Sequence, residues 1–560
     1  MLFKCFLFFF FFFFFFFFFF GVYFYEFNLL YFFEWVIFSL NSCSFTCIFF
    51  FDWVSLVFMS FVFLISGSVL FYSIGYMDGD KNIVRFFYFV FFFILSMVFF
   101  ILMPDLVCLL LGWDGLGLVS YCLIIYYQNK VSLGSGLITV FMNRVGDVFL
   151  ILSIGFFLNY GSWHFILYID FFDYSFSLIV YLILFASFTS SAQFPFCFWL
   201  PAAMAAPTPV SSLVHSSTLV TSGVYLIIRF NYYIYNFDTF LLMFISLVTM
   251  FLSGFNACVE NDLSKIIAFS TLSQLGFMFF ILSFGSLTLC FMHLLIHAVF
   301  KSLLFLCSGF FIHCFFGNQD IRFMGGLVFQ CPYISSCFFI SSICLCGVPF
   351  LSGFYSKDFV FELIVLSETG FLFFFFFCFS ISLTIYYSLR LFYYLFFSSS
   401  FFFPLITFSY SFYMNFSLFF LFFFSLFGGS LIFWLVSDFI FVVEFSFSVL
   451  ILMIFFFCIF SLFGFFDLFF YCNFFFFFFF GSMWFLNYFS SSFFIFRFFS
   501  FSNFIYGLVD SGWLEYFVSG GLLGFLSWIS MIFENFFLNS FYFYMITFFF
   551  SFFFFFFISF

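Results

Sequence analysis

Charge is what this sequence has least of. Lys and Arg total 12 and Asp and Glu 23, so charged residues make up 6% of 560. Soluble domains carry roughly 25%, and the mean hydropathy is +1.33, so a soluble globular protein is excluded. There is no basic cluster and the formal net charge is −11, which excludes a nucleic-acid-binding or disordered chain. Cys-x-x-Cys pairs are missing among the 17 Cys: Cys344 and Cys346 are separated by one residue, and Cys43 and Cys47 lie four apart. Neither spacing suits a metal set or a disulfide framework; these Cys read as small apolar helix residues. Also missing are a phosphate loop, a Gly-x-Gly-x-x-Gly turn and a facing pair of haem-type His. The expectation is a chain with no redox centre, no cofactor and no metal.

What is present is apolar. Hydrophobic residues make up 67%, Phe alone occurs 144 times, and residues 8–20 are an unbroken Phe run. Phe has all-T codons, so the run fits a T-rich gene of the kind found in organelle genomes. The apolar runs are continuous and about 20 residues long, the length of a membrane-spanning helix. An outer-membrane barrel would alternate in polarity instead. The fold class is therefore an all-α polytopic membrane protein.

Apolar windows place spans at 6–24, 52–75, 86–103, 105–127, 134–158, 174–194, 210–229, 239–258, 264–283, 288–311, 327–348, 352–369, 371–396, 412–437, 445–466 and 541–559, with any count from 14 to 16 arguable. Residues 25–51 contain Glu26, Glu34 and Asn41 and read as an exposed loop or hairpin. Residues 500–540 contain Asp510, Glu515, Glu534 and five Gly, too polar for a clean span and suited to the interface. Lys4, Lys81 with Arg85, and Lys130 fall on one side, while 25–51 and 159–172 hold no Lys or Arg. The basic side should face the compartment of synthesis. Lys265 and Arg322 fall near or on that side; Arg229 is the exception. No Arg-rich transit peptide precedes the first span, which fits a chain made inside the organelle.

Four of the eight Pro, at 195, 201, 207 and 209, sit in one stretch, where their missing donors forbid a regular helix. Gly347-Val-Pro-Phe-Leu-Ser-Gly353 is a second break. Broken backbone at membrane depth survives only where protein or water satisfies it. Two such breaks point to a transporter made of two related halves.

An ionisable group at mid-bilayer costs from about 2.5 kcal/mol upward and is a functional candidate by default. Asp114 lies inside an apolar span. Arg144 and Asp147 are three apart on one helix face, as suited to a self-neutralising pair as to proton traffic. His293, His297 and Lys301 recur at i, i+4 and i+8, one stripe at about 3.6 residues per turn. A His pair at that spacing can hold a metal, but the neighbouring Lys repels a cation, so a proton relay is the better reading. His215 follows the first break, and Lys357 and Asp358 follow the second. Lys265, at a helix start, is equally suited to the relay and to snorkelling. His164 and His313 are expected in loops and inert. The series suits proton transfer, not hydride or electron transfer.

Several motifs carry a family resemblance: Gly112-Trp-Asp-Gly-Leu-Gly-Leu-Val-Ser-Tyr-Cys122, Asn143-Arg-Val-Gly-Asp147, Trp199 through His215, Ser270-Thr-Leu-Ser-Gln-Leu-Gly276, His293 through Lys301, and Ser352 through Asp358. Through them the sequence resembles the antiporter-like chain 5 family of mitochondrial NADH:ubiquinone oxidoreductase, respiratory complex I. The match is strong over roughly 50–395 and weaker toward the C-terminus. The resemblance implies two inverted five-helix bundles with broken helices over 52–395, preceded by a span and loop at 1–51. Extra spans at 396–499, a lateral helix at 500–540 and an anchoring span at 541–560 would follow. It implies one proton path through Asp114, His215, Lys265, the His293 stripe and Lys357, driven by quinone reduction elsewhere. Flavin, iron–sulfur clusters and quinone would bind other subunits. The expected partners are the other membrane subunits and the lipid of the mitochondrial inner membrane.

One departure stands out. The family shows Lys-Ser-Ala-Gln before the first break, whereas here the segment reads Ser190-Ser-Ala-Gln193. Ser holds no proton charge at neutral pH. Either the residue is a true substitution, or a codon that some mitochondrial codes read as Lys has been translated as Ser. Two other readings compete with the proton-pumping subunit: the large subunit of a cation/proton antiporter, and a passive scaffold.

Overall fold

The computed structural model describes residues 2–40, 43–164, 174–235, 239–366, 370–399, 411–436, 474–489, 492, 494–538 and 541–558. The span expected at 445–466 lies outside the described residues. Residues 1–484 form one compact unit and 485–560 a second.

In the first unit, helix α1 (Leu2–Glu26) leads into an antiparallel hairpin of β1 (Tyr31–Leu40) and β2 (Cys43–Phe51). The region expected as a loop or hairpin is thus a hairpin, paired from Tyr31 with Phe51 to Leu40 with Cys43. Then come α2 (Trp53–Tyr76), α3 (Ile83–Leu102), α4 (Leu106–Ile124), α5 (Lys130–Phe157) and α6 (Tyr174–Ser190). The Pro-rich stretch breaks into the short α7 (Trp199–Ala202) and α8 (Thr208–Val210). A π-helical stretch, Ser211–Thr218, joins α8 to α9 (Leu219–Tyr235). Helices α10 (Phe240–Val259), α11 (Leu263–Ser283) and α12 (Leu287–Cys314) follow, with the short α13 (Leu327–Gln330) and α14 (Pro332–Cys346) after them. The second break separates α14 from α15 (Ser352–Leu366). Gly347 ends α14 at φ +83°, a left-handed C-cap that favours glycine. Helices α16 (Phe371–Phe392), α17 (Phe412–Val436) and α18 (Phe474–Gly481) complete the unit.

Among the described residues 13 helices are long and apolar enough to cross a membrane, and α6 and α14 are shorter apolar helices. The polytopic all-α reading therefore holds. Helix α12 is the buried centre: it packs on α2, α11, α14, α15, α17 and the π stretch, and from Cys290 to Ile312 every side chain is buried. It runs a turn beyond the expected 288–311. His313 accordingly stands in its last turn and not in a loop, which corrects the expectation.

The exception to the charge pattern also has a physical reason. The Arg229 guanidinium forms two hydrogen bonds with the Asp52 carboxylate, at 2.5 and 2.8 Å, and two more to Tyr225 Oη. A paired and buried Arg is not a free loop charge, so it does not count in the orientation rule. On the opposite side, Lys265 pairs with Asp262, Arg322 with Asp320, and Arg390 donates to Glu260 O and Asn261 Oδ1.

The second unit contains α19 (Leu486–Tyr488), α20 (Phe494–Ile505), a π-helical stretch over Tyr506–Gly520, α21 (Gly521–Leu538) and α22 (Phe541–Ile558). Helix runs without interruption from Phe494 to Leu538.

Candidate proton path

The stripe on α12 is a buried row. His293, His297 and Lys301 are each 0% exposed, and the two His rings lie 6.3 Å apart between centroids. Partners come from neighbouring helices. His293 Nδ1 meets Ser356 Oγ of α15 at 2.9 Å, and Lys301 Nζ donates to Ser270 Oγ of α11 at 2.5 Å. One residue beyond Ser356, Lys357 is also buried and its Nζ donates to Leu345 O at the frayed end of α14, 2.5 Å away. The second break thus supplies the free carbonyl that a buried ammonium needs. Lys357 turns to that carbonyl and not to Asp358; no ion pair joins the two among the described residues. Cys346 lies within electrostatic reach of both Lys301 and Lys357, which brings the two amines to one locality.

His215 sits in the π stretch, buried, with its ring 6.2 Å from that of Trp199. Both its ring nitrogens and both of His297 lack a hydrogen-bond partner among the described residues. Unpaired polar atoms at this depth are costly, so packing alone does not account for the four of them. Lys265 stands apart. It opens α11, reaches Asp262 Oδ2 at 2.6 Å, and leaves 40% of its side chain exposed, in keeping with a snorkelling residue. The sequence motifs contain Ser270 and Ser356, but their pairing with Lys301 and His293, and that of Lys357 with the Leu345 carbonyl, leaves no local signal at 31, 63 and 12 residues' separation.

Comparison with known proteins decides the family. Residues 103–384 match the family described as NADH:quinone oxidoreductase/Mrp antiporter, TM. Residues 35–87 match the complex I chain 5 N-terminus, and 387–559 the NADH dehydrogenase subunit 5 C-terminus. The NADH-ubiquinone oxidoreductase chain 5 of Locusta migratoria is 54% identical over 387 residues, 68% of each chain. The chain belongs to this chain 5 family. The chain 5 proteins of Aedes aegypti and Lumbricus terrestris are 52% and 48% identical, over 68% and 60% of this chain and 66% and 58% of theirs. Among solved structures, the Mrp complex from Dietzia sp. DQ12-45-1b matches with a TM-score of 0.69 at 23% identity, over 79% of this chain and 51% of that one. The archaeal membrane-bound sulfane sulfur reductase matches with a TM-score of 0.63 at 20% identity, over 71% of this chain and 68% of that one. These two carry the fold: antiporter-like bundles with broken helices.

The chain 5 motifs on α4 and α5 form an ion triad. Arg144 reaches Asp147 Oδ2 at 2.9 Å and Asp114 Oδ1 at 3.4 Å, and Trp113 Nε1 donates to Asp147 Oδ1 at 2.8 Å. Asp114 therefore has a cationic partner without any Lys on α6. Asp147 is buried, while the Arg144 and Asp114 side chains are 45% and 41% exposed. Ser190 ends α6 and donates back to Ser187 O at 3.1 Å, the local bond by which Ser satisfies itself in a helix.

Proposed function

We propose that this chain conducts protons across the mitochondrial inner membrane as a membrane subunit of an NADH:ubiquinone oxidoreductase, and that the path includes His215, His293, His297, Lys301 and Lys357. The observation that carries this reading is the buried row on α12, tied by Ser356 to the lysine of the second broken helix. Moving a charge across a membrane potential takes about 2.3 kcal/mol per 100 mV, so a pump needs sites whose protonation can be switched. Imidazoles and amines do that, and Ser hydroxyls between them pass a proton without holding charge. Asp358 follows Lys357 toward the far face and continues the path. The Asp114, Arg144 and Asp147 triad flanks it.

The chain works within a larger complex. Asp114 and Arg144 are half-exposed on helices that are otherwise apolar, and a charge facing lipid is costly. A neighbouring membrane subunit covering that face resolves the cost. In this reading flavin, iron–sulfur clusters and quinone are held by other subunits.

The experiment is to measure protons translocated per NADH oxidised by the assembled complex in vesicles. His297→Ala and Lys357→Ala should each lower that ratio while the complex still assembles, since each removes a buried polar group whose burial is itself costly. Wild-type pumping by an assembled variant rejects the residue concerned. A cation/proton antiporter reading, favoured by the Mrp likeness alone, predicts sodium/proton exchange by the chain without NADH and no association with redox subunits.

A further inference from the structure

We propose that protons reach the buried row from the membrane face of Lys81 and Arg85 through a file of hydroxyls: His313 and Tyr76 at the surface, then Thr208 and Tyr72 where they meet at Gly309, then His215. The proposal rests on the proton-path reading above and gives it an uptake route that neither the family motifs nor the comparisons assign.

Helix α12 serves as a depth scale. His313 is exposed in its last turn. Gly309 lies one turn deeper, about 6 Å, and Lys301 about 12 Å deeper still, at 1.5 Å per residue. The Tyr76 ring lies 5.6 Å from His313 and stacks on Tyr72 at 5.7 Å between centroids. Asp80, exposed just past the end of α2, sets an acidic group at this mouth and interacts with Tyr76. Both tyrosine hydroxyls are directed at Thr208. Tyr72 Oη and Thr208 Oγ1 are buried, yet neither holds a completed hydrogen bond among the described residues. They converge on Gly309. A Cβ there would stand 2.5 Å from Thr208 Oγ1 and 3.0 Å from Tyr72 Oη. Only a residue without a side chain lets the two hydroxyls come together against α12.

Beyond Thr208 the broken helix carries the file inward. Ser211 and Ser212 lie three and four residues on, their hydroxyls donating to Thr208 O and Pro209 O, and His215 lies seven residues on in the π stretch. Seven helical residues advance at most about 10 Å, which carries the file inward from Thr208 to His215. The π stretch containing His215 packs on α12. Each hydroxyl gives its proton to the next acceptor and takes one from behind, so one proton moves inward and no charge stays on a tyrosine or threonine. Packing alone gives no reason for two hydroxyls of two helices to converge at one buried glycine.

The test uses the assembled complex in vesicles, with protons translocated per NADH oxidised as the readout. Tyr72→Phe, Thr208→Val and Gly309→Ala should each lower the ratio toward that of His297→Ala, and Thr208→Ser, which keeps the hydroxyl, should restore it. A merely structural role predicts instead that Thr208→Val, close in shape, pumps better than Thr208→Ser; that result overturns the file. So does wild-type pumping by Tyr72→Phe and Thr208→Val alongside impaired His297→Ala, which leaves the buried row in place. Should His297→Ala pump normally while Tyr72→Phe is impaired, the row is rejected and the uptake file stands. If Gly309→Ala fails to assemble, Tyr72→Phe, which removes one oxygen, decides.

Discussion

Replacing Arg229 by Met tests how the far ends of the helices are tied together. Arg229 of α9 binds both carboxylate oxygens of Asp52, the N-cap of α2, and both its Nε and one terminal nitrogen donate to Tyr225 Oη. Tyr225 Oη in turn donates to Ile101 O at the end of α3. The guanidinium also lies over the rings of Tyr225 and Phe50, at 4.9 and 5.3 Å, so one cation joins α2, α3, α9 and the hairpin. The Asp52 and Arg229 side chains are only 8% and 15% exposed. Removing one partner of so buried a pair leaves an uncompensated charge and costs about 3–5 kcal/mol, two decades or more in an equilibrium constant.

The pH dependence follows from Asp52. Burial raises its carboxyl, but the Arg229 charge and the bonds from Arg229 and Ser55 outweigh that and hold it below the ordinary 3.8. A carboxyl held down in the folded state stabilises above its unfolded value, and that contribution is lost only as pH falls through the folded one. The wild-type contribution of the pair should therefore be flat across neutral pH, while in Arg229→Met the buried carboxyl, freed from the Arg charge, moves up and the deficit shrinks as pH falls. Hydrogen exchange of residues 31–60 in the solubilised complex measures it, since opening of the hairpin and the start of α2 reports on this tie. Asp52→Asn with Arg229→Met should cost less than the two single changes added together. A single-variant cost below about 1 kcal/mol, the range of a solvent-exposed pair, or simple additivity in the cycle, refutes the reasoning.

The remaining predictions concern the other end of the hairpin and the second break. His164 contacts Asp105 through Nδ1 and Thr46 Oγ1 through Nε2 at 3.1 Å, and the hydrogen bond to Asp105, against burial, holds the imidazole above 6.5. Glu34 adds to that pull, while burial pushes the Asp105 carboxyl up. A raised His stabilises fully below its unfolded value and loses that contribution as pH rises through the folded one. Exchange protection at residues 43–51 should therefore fall above neutral pH, and a pH-independent profile in the wild type refutes the link. At the second break, Lys357→Met should leave the melting temperature of the complex unchanged or raise it, because a buried amine is replaced by an apolar chain of similar length; a marked drop would show the amine to be structural.

The buried row of His293, His297 and Lys301 was legible because His and Lys at a spacing of four match the helix period, and ionisable residues inside an apolar span are costly. The breaks were legible because Pro and Gly act locally on the backbone. What was hidden lies between helices. Ser356 against His293 and Ser270 against Lys301 are ordinary serines in a Ser-rich chain, and only the packing of α11 and α15 on α12 selects them. The ion pair of Asp52 with Arg229 spans 177 residues, so Arg229 looked like an exception to the charge rule. His313 looked like a loop residue because a polar side chain was taken as the end of an apolar run. Helices accept His in the last turn, where it meets the partial negative charge of the C-terminus.

Ser190 brings these strands together. If the residue is truly Ser, the first half of the path has no switchable amine on α6, and the structure shows a self-consistent alternative. Ser190 bonds to its own helix, Asp114 takes Arg144 as its cation, and Gly223 of α9 presses so close that a Cβ there would stand 2.5 Å from Ser190 Oγ. An Arg stays charged at every physiological pH, so Arg144 can orient a proton's route but, unlike the amine it stands in for, cannot itself load and release one. Uptake then falls to His215, the destination of the hydroxyl file. If the codon is read as Lys, the longer side chain must pass Gly223, whose lack of a Cβ leaves room for it, and Asp114 gains an amine that competes with Arg144. Mass spectrometry of a peptide spanning residue 190 separates the two cases. A mass matching Ser is expected if His215 is the first switch, and His215→Ala should then abolish the subunit's pumping. A mass matching Lys rejects that dependence and returns the first half of the path to the α6 amine.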